Sequence, residues 1–395
     1  MQFDFLTSNP AFNIAEESNI AGTGGNTTLY RKATRYDFDN RLKPDGILLN
    51  ITLKGIIPDL INGHFKDKQT HLINLMDNLD VWPYNTCYFL IENANKTTSI
   101  KVAGGLAKKI YSTDPADRFK MTYYSGSNRG MDNEFNGTNK VIRQLPGRGR
   151  DTVAYDYTDK EVSTGPKFAF YVMESRKSYT VTTEPTMGGT ICYINTTTTD
   201  EAEKLKLFVL KNKVYKEYIK RMHIKNHAFG LRNIKKFDLN QIVTGEEIPK
   251  EWGITDNDLI QPTKIENEVL TDVLKRKSLG QVFTPKKLIE IIFKDLIALR
   301  PDAFSNPKYT FCDSMCGNGK FLSSILEKKM SNNISHQTAL ESIYGIDIDS
   351  DAVEECKNNL IMGNEALRKI VDEQIICGDM FEYTFPSNNF NKLFV

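Results

Sequence analysis

The chain predicts an α/β fold with a parallel sheet, and three features of its last third carry that prediction. Phe311 to Leu322, FCDSMCGNGKFL, runs from a short apolar segment through an acid into a glycine turn and on into a helical run. A second strand-like stretch, Ser342 to Ile348, follows and carries Asp347 at its end. Lys286 to Leu299, Lys320 to Met330 and Ser350 to Ile361 have apolar residues at helical spacing, so strand and helix alternate in a βαβ pattern. A glycine turn lets backbone N–H groups approach a ligand closely, and an acid at the tip of the next strand can accept both ribose hydroxyls. These residues point to a nucleoside site.

The turn itself chooses among nucleoside ligands. A phosphate-binding loop needs Gly-Lys followed by Ser or Thr, whereas Gly319-Lys320 is followed by Phe321. A dinucleotide site wants a third Gly or Ala where the helix packs on the strand, and Leu322 stands there. Asp313, Cys316, Gly317, Gly319 and Phe321 instead match Asp-x-x-Cys/Phe-Gly-x-Gly-x-Phe, which resembles motif I of S-adenosylmethionine-dependent amino-methyltransferases of DNA.

Neighbouring segments extend the resemblance. Gly280-Gln281-Val282-Phe283-Thr284-Pro285 looks like motif X, which implies that Phe283, Thr284 and Pro285 close over the methionine part of the cofactor. Tyr344-Gly345-Ile346-Asp347 is similar to motif II and Cys377-Gly378-Asp379 to motif III. The resemblance then implies that Asp347, with Ile348 beside it, holds the ribose, and that Asp379, with Met380, holds the adenine end.

At the other end of the chain, apolar Phe3 to Leu6 runs into Ser8-Asn9-Pro10-Ala11-Phe12. Asn-Pro marks turns anywhere. Beside motif I it resembles motif IV, Asn/Asp/Ser-Pro-Pro-Phe/Tyr, and the chemistry needs such a turn. An exocyclic amine is a poor nucleophile because its lone pair is delocalised into the ring. Hydrogen bonds from its N–H groups to the Asn9 side-chain oxygen and the Pro10 carbonyl would favour a tetrahedral nitrogen, while Phe12 would stack on an extruded base. Ala11 departs from the pattern by replacing its second proline, which restores φ freedom to the turn.

The resemblance therefore implies a Rossmann-like methyltransferase sheet assembled from both chain ends around an α+β target-recognition insert. The order of motifs, IV, insert, X, I, II and III, is that of circularly permuted members of the family. Three regions follow: residues 1–102 as the catalytic half, 103–262 as the recognition domain and 263–395 as the cofactor half. Leu42-Lys43-Pro44-Asp45-Gly46 feeds a buried strand at Ile47 to Ile51. Asn85 to Glu92 is another strand, expected to turn at Asn93 to Thr98 and return as a hairpin at Ile100 to Val102. Phe390 to Val395 resembles the strand that precedes motif IV, a place Phe3 to Leu6 already fills; the C-terminal copy is expected to fray or add elsewhere, the alternatives being that it pairs with a second molecule or that the chain is part of a longer or split gene product.

Within the insert, Lys167 to Met173 and Thr190 to Ile194 read as strands, and Tyr123, Tyr124, Tyr155 and Tyr157 are interleaved with charge. A single helix is expected from Asp200 to Met222, with Asp200 as N-cap and Glu203 completing a capping box. The formal net charge is only +1, but Lys204 to Lys236 holds eleven Lys and Arg against Glu217 alone. Such a patch neutralises phosphates. Lys206, Lys213, Lys220 and Arg232, with Arg148 and Arg150 in the tip Leu145 to Arg150, are the candidate DNA contacts.

Composition narrows the remaining classes. The hydrophobic content of 40% suits a globular protein, and no apolar run approaches the roughly twenty residues of a membrane span. With no basic-then-apolar leader in the sequence, the expected location is cytoplasmic. Six scattered cysteines lack paired ligand spacing, so no metal site is expected. The activity expected from the resemblance is transfer of a methyl group from S-adenosylmethionine to the N6 amine of a flipped adenine in double-stranded DNA. The rivals are a non-catalytic recognition subunit and an RNA or protein-glutamine methyltransferase, and the further partners considered are a second copy or a cognate restriction subunit.

Overall fold

A computed structural model of the chain describes residues 1–9, 29–80, 86–111, 119, 121–122, 137–146, 152–159, 162–171, 178–186, 191–221, 234, 237–245, 252–260, 263–264 and 284–386. They fall into two compact units, Met1–Ala103 with Lys264–Val395, and Gly104–Thr263.

The first unit is built on an eight-stranded sheet. Its strands are β1 (Phe3–Ser8), β2 (Leu42–Leu53), β3 (Lys68–Asn74), β4 (Thr86–Asn95), β5 (Lys101–Ala103), β6 (Phe311–Asp313), β7 (Ile343–Asp347) and β8 (Ile375–Cys377). They lie in the order β8-β7-β6-β1-β2-β4-β3-β5. From β8 to β2 every neighbouring pair is parallel; β4 is antiparallel to both β2 and β3.

The start of the chain sits at the centre of this sheet. β1 pairs with β6 through Phe5↔Phe311 and Thr7↔Asp313, and with β2 through Leu6↔Leu48 and Ser8↔Asn50. Phe5 stacks on Phe311 with ring centroids 4.7 Å apart, and Phe3, Phe5 and Leu6 are almost wholly buried. Each such side chain contributes about 1.5–3 kcal/mol by leaving water. The Asp4 carboxylate accepts hydrogen bonds from the backbone N–H of Thr310 at 2.9 Å and from its hydroxyl at 2.8 Å, which sets the register. Phe3 to Leu6 thus takes the central place for which the sequence offers two stretches; Phe390 to Val395 lies outside the described residues.

The expected hairpin between Asn85–Glu92 and Ile100–Val102 does not form. β3, unmarked in the sequence, comes between them: β4 pairs along β2 and β3, and β5 runs parallel to β3 beyond it. A fully apolar strand such as CYFLI needs neighbours on both edges, and β2 and β3 supply them.

Helices α1 (Leu29–Tyr36), α2 (Lys286–Leu299), α3 (Lys320–Ser331) and α4 (Ser350–Ile361) belong to the same unit. α2 buries Leu288, Ile289, Ile292, Phe293 and Leu296, and α3 buries Phe321, Leu322, Ile325 and Leu326, in one core with Phe5, Ile47 and Leu49. Strand order turns around at β6. From β6 the chain proceeds to β7 and β8 on one side, while its other neighbour β1 leads to β2 on the opposite side. In open α/β sheets the crevice at the carboxyl ends of two such strands is where ligands bind.

The second unit has a four-stranded antiparallel sheet in the order Tyr179–Thr182, Lys167–Tyr171, Ile191–Asn195, Met121–Thr122, and a ribbon of Asn139–Gln144 with Ala154–Thr158. The single helix expected over Asp200–Met222 is two, Thr199–Lys211 and Lys213–Arg221. Asn212 divides them: it is extended at φ −62° and ψ 127°, and its side-chain oxygen accepts from Tyr215 N–H at 3.0 Å, capping the second helix. The first cap is Thr198 rather than Asp200, with Glu201 returning to the N–H of Thr197 at 2.8 Å. Phe208, Tyr215, Tyr218, Phe237 and Trp252 pack ring against ring. Among the described residues no helix is long and apolar enough to cross a membrane.

Candidate functional site

The parallel register brings the tips of β1, β6, β7 and β8 to one edge of the sheet. Thr7 lies opposite Asp313, Asp313 opposite Gly345, and Asp347 opposite Cys377. Beyond β1, the Asn9 amide donates to the hydroxyl of Thr284 at 3.0 Å, across 275 positions of sequence. The segment that resembles motif IV and the one that resembles motif X therefore touch. Pro10, Phe12 and Phe283 lie outside the described residues.

The glycine turn is shaped by close packing from behind. Gly317 and Gly319 both have positive φ, 50° and 80°. A Cβ on Gly319 would come within 2.4 Å of the Cys356 sulfur, so no other residue fits without displacing α4. The missing third glycine is also explained. Leu322 is fully buried and lies against Gly345 on the neighbouring strand, where a Cβ would meet Leu322 at 2.8 Å and the Cys316 sulfur at 3.1 Å. The space that a small helix residue provides in a dinucleotide site is provided here by the strand.

Asp347 is wired into this turn. One of its oxygens accepts from Gly317 N–H at 2.7 Å and the other from Asp349 N–H at 3.0 Å. Its pKa is nevertheless raised, because burial outweighs those bonds. Ile348 beside it is 68% exposed, an apolar side chain held at the rim. Gly378 N–H donates to the Asp347 carbonyl at 2.9 Å, which sets the third tip against the second. Asp379 is exposed there, and its Oδ1 accepts from Phe381 N–H at 2.8 Å; Met380 is buried.

Asp313 is the most perturbed carboxyl of the rim. It is 2% exposed, and burial pushes its pKa to about 8 against the lowering effect of a hydrogen bond from Met315 N–H. Asp347 and Asp37 add repulsion. Asp37, which the sequence reading passed over, is raised to about 6 by burial, offset in part by Arg41 and Ser314. Its spacing to Arg41 in DFDNR reads as an ordinary surface pair, and only burial reveals it. Asp313 and Asp347 stand at neighbouring strand tips with raised pKa, and a ligand that brings positive charge would favour their ionised forms.

The candidate DNA contacts belong to the second unit. Lys213 and Lys220 are exposed on one helix with Lys216, at positions i, i+3 and i+7; Lys216 was not singled out in the sequence. Lys206 is on the preceding helix and bonds Glu203 at 3.2 Å, so the lysines do not form one continuous helical stripe. Arg148, Arg150 and Arg232 lie outside the described residues.

A mostly parallel α/β sheet with a glycine turn of positive φ and an acid at the next strand tip is an architecture whose ligands bind at the switch point of the sheet. Comparison adds that residues 270–392 match the family model described as N-6 DNA Methylase. No curated protein matches the chain.

Proposed function

We propose that the protein transfers a methyl group from S-adenosylmethionine to the N6 amine of an adenine extruded from double-stranded DNA. The observation that carries the proposal is the contact of Asn9 with Thr284 at the edge where Asp313, Gly317 and Asp347 meet. It joins the residues that would hold the amine to those that would hold the methyl donor.

The crevice fits that donor. Gly317 and Gly319 give the turn its positive φ and leave its backbone bare of side chains, Asp347 offers a carboxylate to the ribose, and exposed Ile348 offers an apolar face to the adenine ring. The acid at Asp313 suits its cationic methionine end, and Thr284 stands by Asn9. When bound, the cofactor supplies a sulfonium whose methyl carbon is open to in-line attack. The side chains then have two tasks. Asn9 and the Pro10 carbonyl accept the N–H groups of the target amine, concentrating its lone pair, and Phe12 stacks on the base. The cofactor would supply the methyl group and keep the electron pair of the sulfur–carbon bond, while N6 would exchange one N–H bond for the bond to carbon and release that proton to solvent. Alignment and amine polarisation account for the rate, with no covalent enzyme intermediate.

The basic helix face of Lys213, Lys216 and Lys220 supports DNA as the substrate, with the second unit as its recognition domain and the motif order as a circular permutation. Sequencing that maps modified bases in DNA from an expressing host tests the reading. N6-methyladenine at one sequence is expected. Unmodified DNA, or methyl groups appearing only on RNA or protein, would overturn it.

A further inference from the structure

The buried ion pair of Asp37 and Arg41 takes no part in the chemistry above, yet it reaches two of the turns at the strand tips. Asp37 is 0% and Arg41 4% exposed, and Nη1 of Arg41 lies 3.1 Å from Oδ1 of Asp37. Burying two charges is costly, and apolar residues of similar volume would pack such a place as well or better. The contacts at each end supply a reason for the pair. Ser314, next to Asp313, donates its hydroxyl to Oδ2 of Asp37. Nη2 of Arg41 donates to the carbonyls of Met380 and Tyr383, the latter at 2.9 Å.

Tyr36 adds a third attachment. Its hydroxyl donates to the Phe381 carbonyl at 3.0 Å, and its ring meets that of Phe381 edge-on at 5.3 Å. The turn they grip is wound by Asp379, whose carbonyl accepts from Glu382 and Tyr383 N–H at 3.1 and 3.0 Å. The segment carrying Asp37, Phe38, Asp39, Asn40 and Arg41 is a π-helical turn, a geometry frequent at functional positions. One guanidinium thus holds one carboxylate and two carbonyls in a fixed fork, a set that a lysine ammonium cannot satisfy with the same planar geometry.

We propose that Asp37 and Arg41 are positioning residues for the cofactor: by bridging the Asp313–Ser314 turn and the Asp379–Tyr383 turn, they fix the spacing of the acid tips between which the nucleoside binds. The inference rests on the functional reading above. The pair acts through the two turns and touches neither cofactor nor base.

The test uses the full chain, with Arg41→Lys and the double variant Asp37→Asn/Arg41→Met, which removes both charges and so leaves no buried ion unpaired. Binding of S-adenosylmethionine by calorimetry is read beside thermal melting and amide exchange at Ser314 and at Phe381 to Tyr383. The double variant is expected to melt cooperatively, to bind the cofactor at least tenfold more weakly, and to exchange faster at those two turns while β1 and β2 stay protected. Arg41→Lys is expected to fall between it and the parent. If the double variant does not fold, Arg41→Lys and Ser314→Ala, each of which removes part of the bridge, carry the same comparison. Variants that bind the cofactor within twofold of the parent would overturn the positioning role. A parent chain that binds no S-adenosylmethionine would overturn the functional reading, and this inference with it.

Discussion

The rim of the eight-stranded sheet and the helical face of the second unit both carry charge, but they carry it in opposite ways. At the rim, Asp37 and Asp313 are withdrawn from water and Asp347 is half-buried, and all three are held by backbone or side-chain hydrogen bonds. On the helix Lys213–Arg221, Lys213, Lys216 and Lys220 stand in solvent. Buried charge is tuned to one ligand in one geometry, because each hydrogen bond is short and its desolvation already met. Exposed charge serves a polyanion whose phosphates need only be near, and salt weakens it. The two regions should therefore fail separately.

The largest effect is expected at the rim. Asp347→Ala removes the acceptor proposed for the ribose together with the clamp on Gly317, and each charge-assisted hydrogen bond contributes about 1.5–3 kcal/mol. Cofactor affinity, measured by calorimetry, should fall at least about 100-fold while DNA affinity stays within about threefold. A middle-sized effect is expected on the helix. Replacing Lys213, Lys216 and Lys220 by Ala should weaken DNA binding by at least about tenfold and flatten the log–log salt slope by about 3, with cofactor binding unchanged. Equal losses of both ligands in either variant would break the separation.

The smallest effect concerns pH. With its pKa raised to about 8, Asp313 keeps its proton in the folded state long after an unfolded chain would have lost it near 3.8. Its contribution to stability is therefore fully present below about pH 4 and is lost as pH rises through about 8. Asp37, raised to about 6, acts in the same direction over a shorter span. A cationic ligand favours the ionised carboxyl, so its binding should tighten as pH rises toward 8 and level off above. Asp313→Asn should flatten the fall in melting temperature over this window and remove the pH dependence of cofactor affinity.

How much of this was legible in the sequence differs between the same two regions. Around the glycine turn, local chemistry dictates local structure: positive φ at Gly319, the acid ending β7 and the Asp349 cap of α4 are each written within a few residues. β1 was legible too, because Phe3 to Leu6 is apolar enough for a strand buried on both faces. β3 was not, since which strand comes between β4 and β5 is decided by pairing across the sheet rather than by the pattern of KQTHLIN. The break at Asn212 hid in an amphipathic run because its cap bond to Tyr215 depends on a single side chain. Asp37 and Arg41 hid for a different reason: their value lies in partners some three hundred residues away.

The central claim is that the two ends of the chain make one catalytic site, and Asn9→Ala tests it most directly. Transfer of a labelled methyl group from S-adenosylmethionine to DNA should fall at least about 100-fold, a loss typical of removing one electrostatic partner of a transition state. Calorimetric affinity for S-adenosylmethionine should meanwhile stay within about threefold of the parent, since Asn9 meets the cofactor half through the hydroxyl of Thr284. Undiminished transfer by Asn9→Ala, or methyl groups on a base other than adenine, would contradict the account.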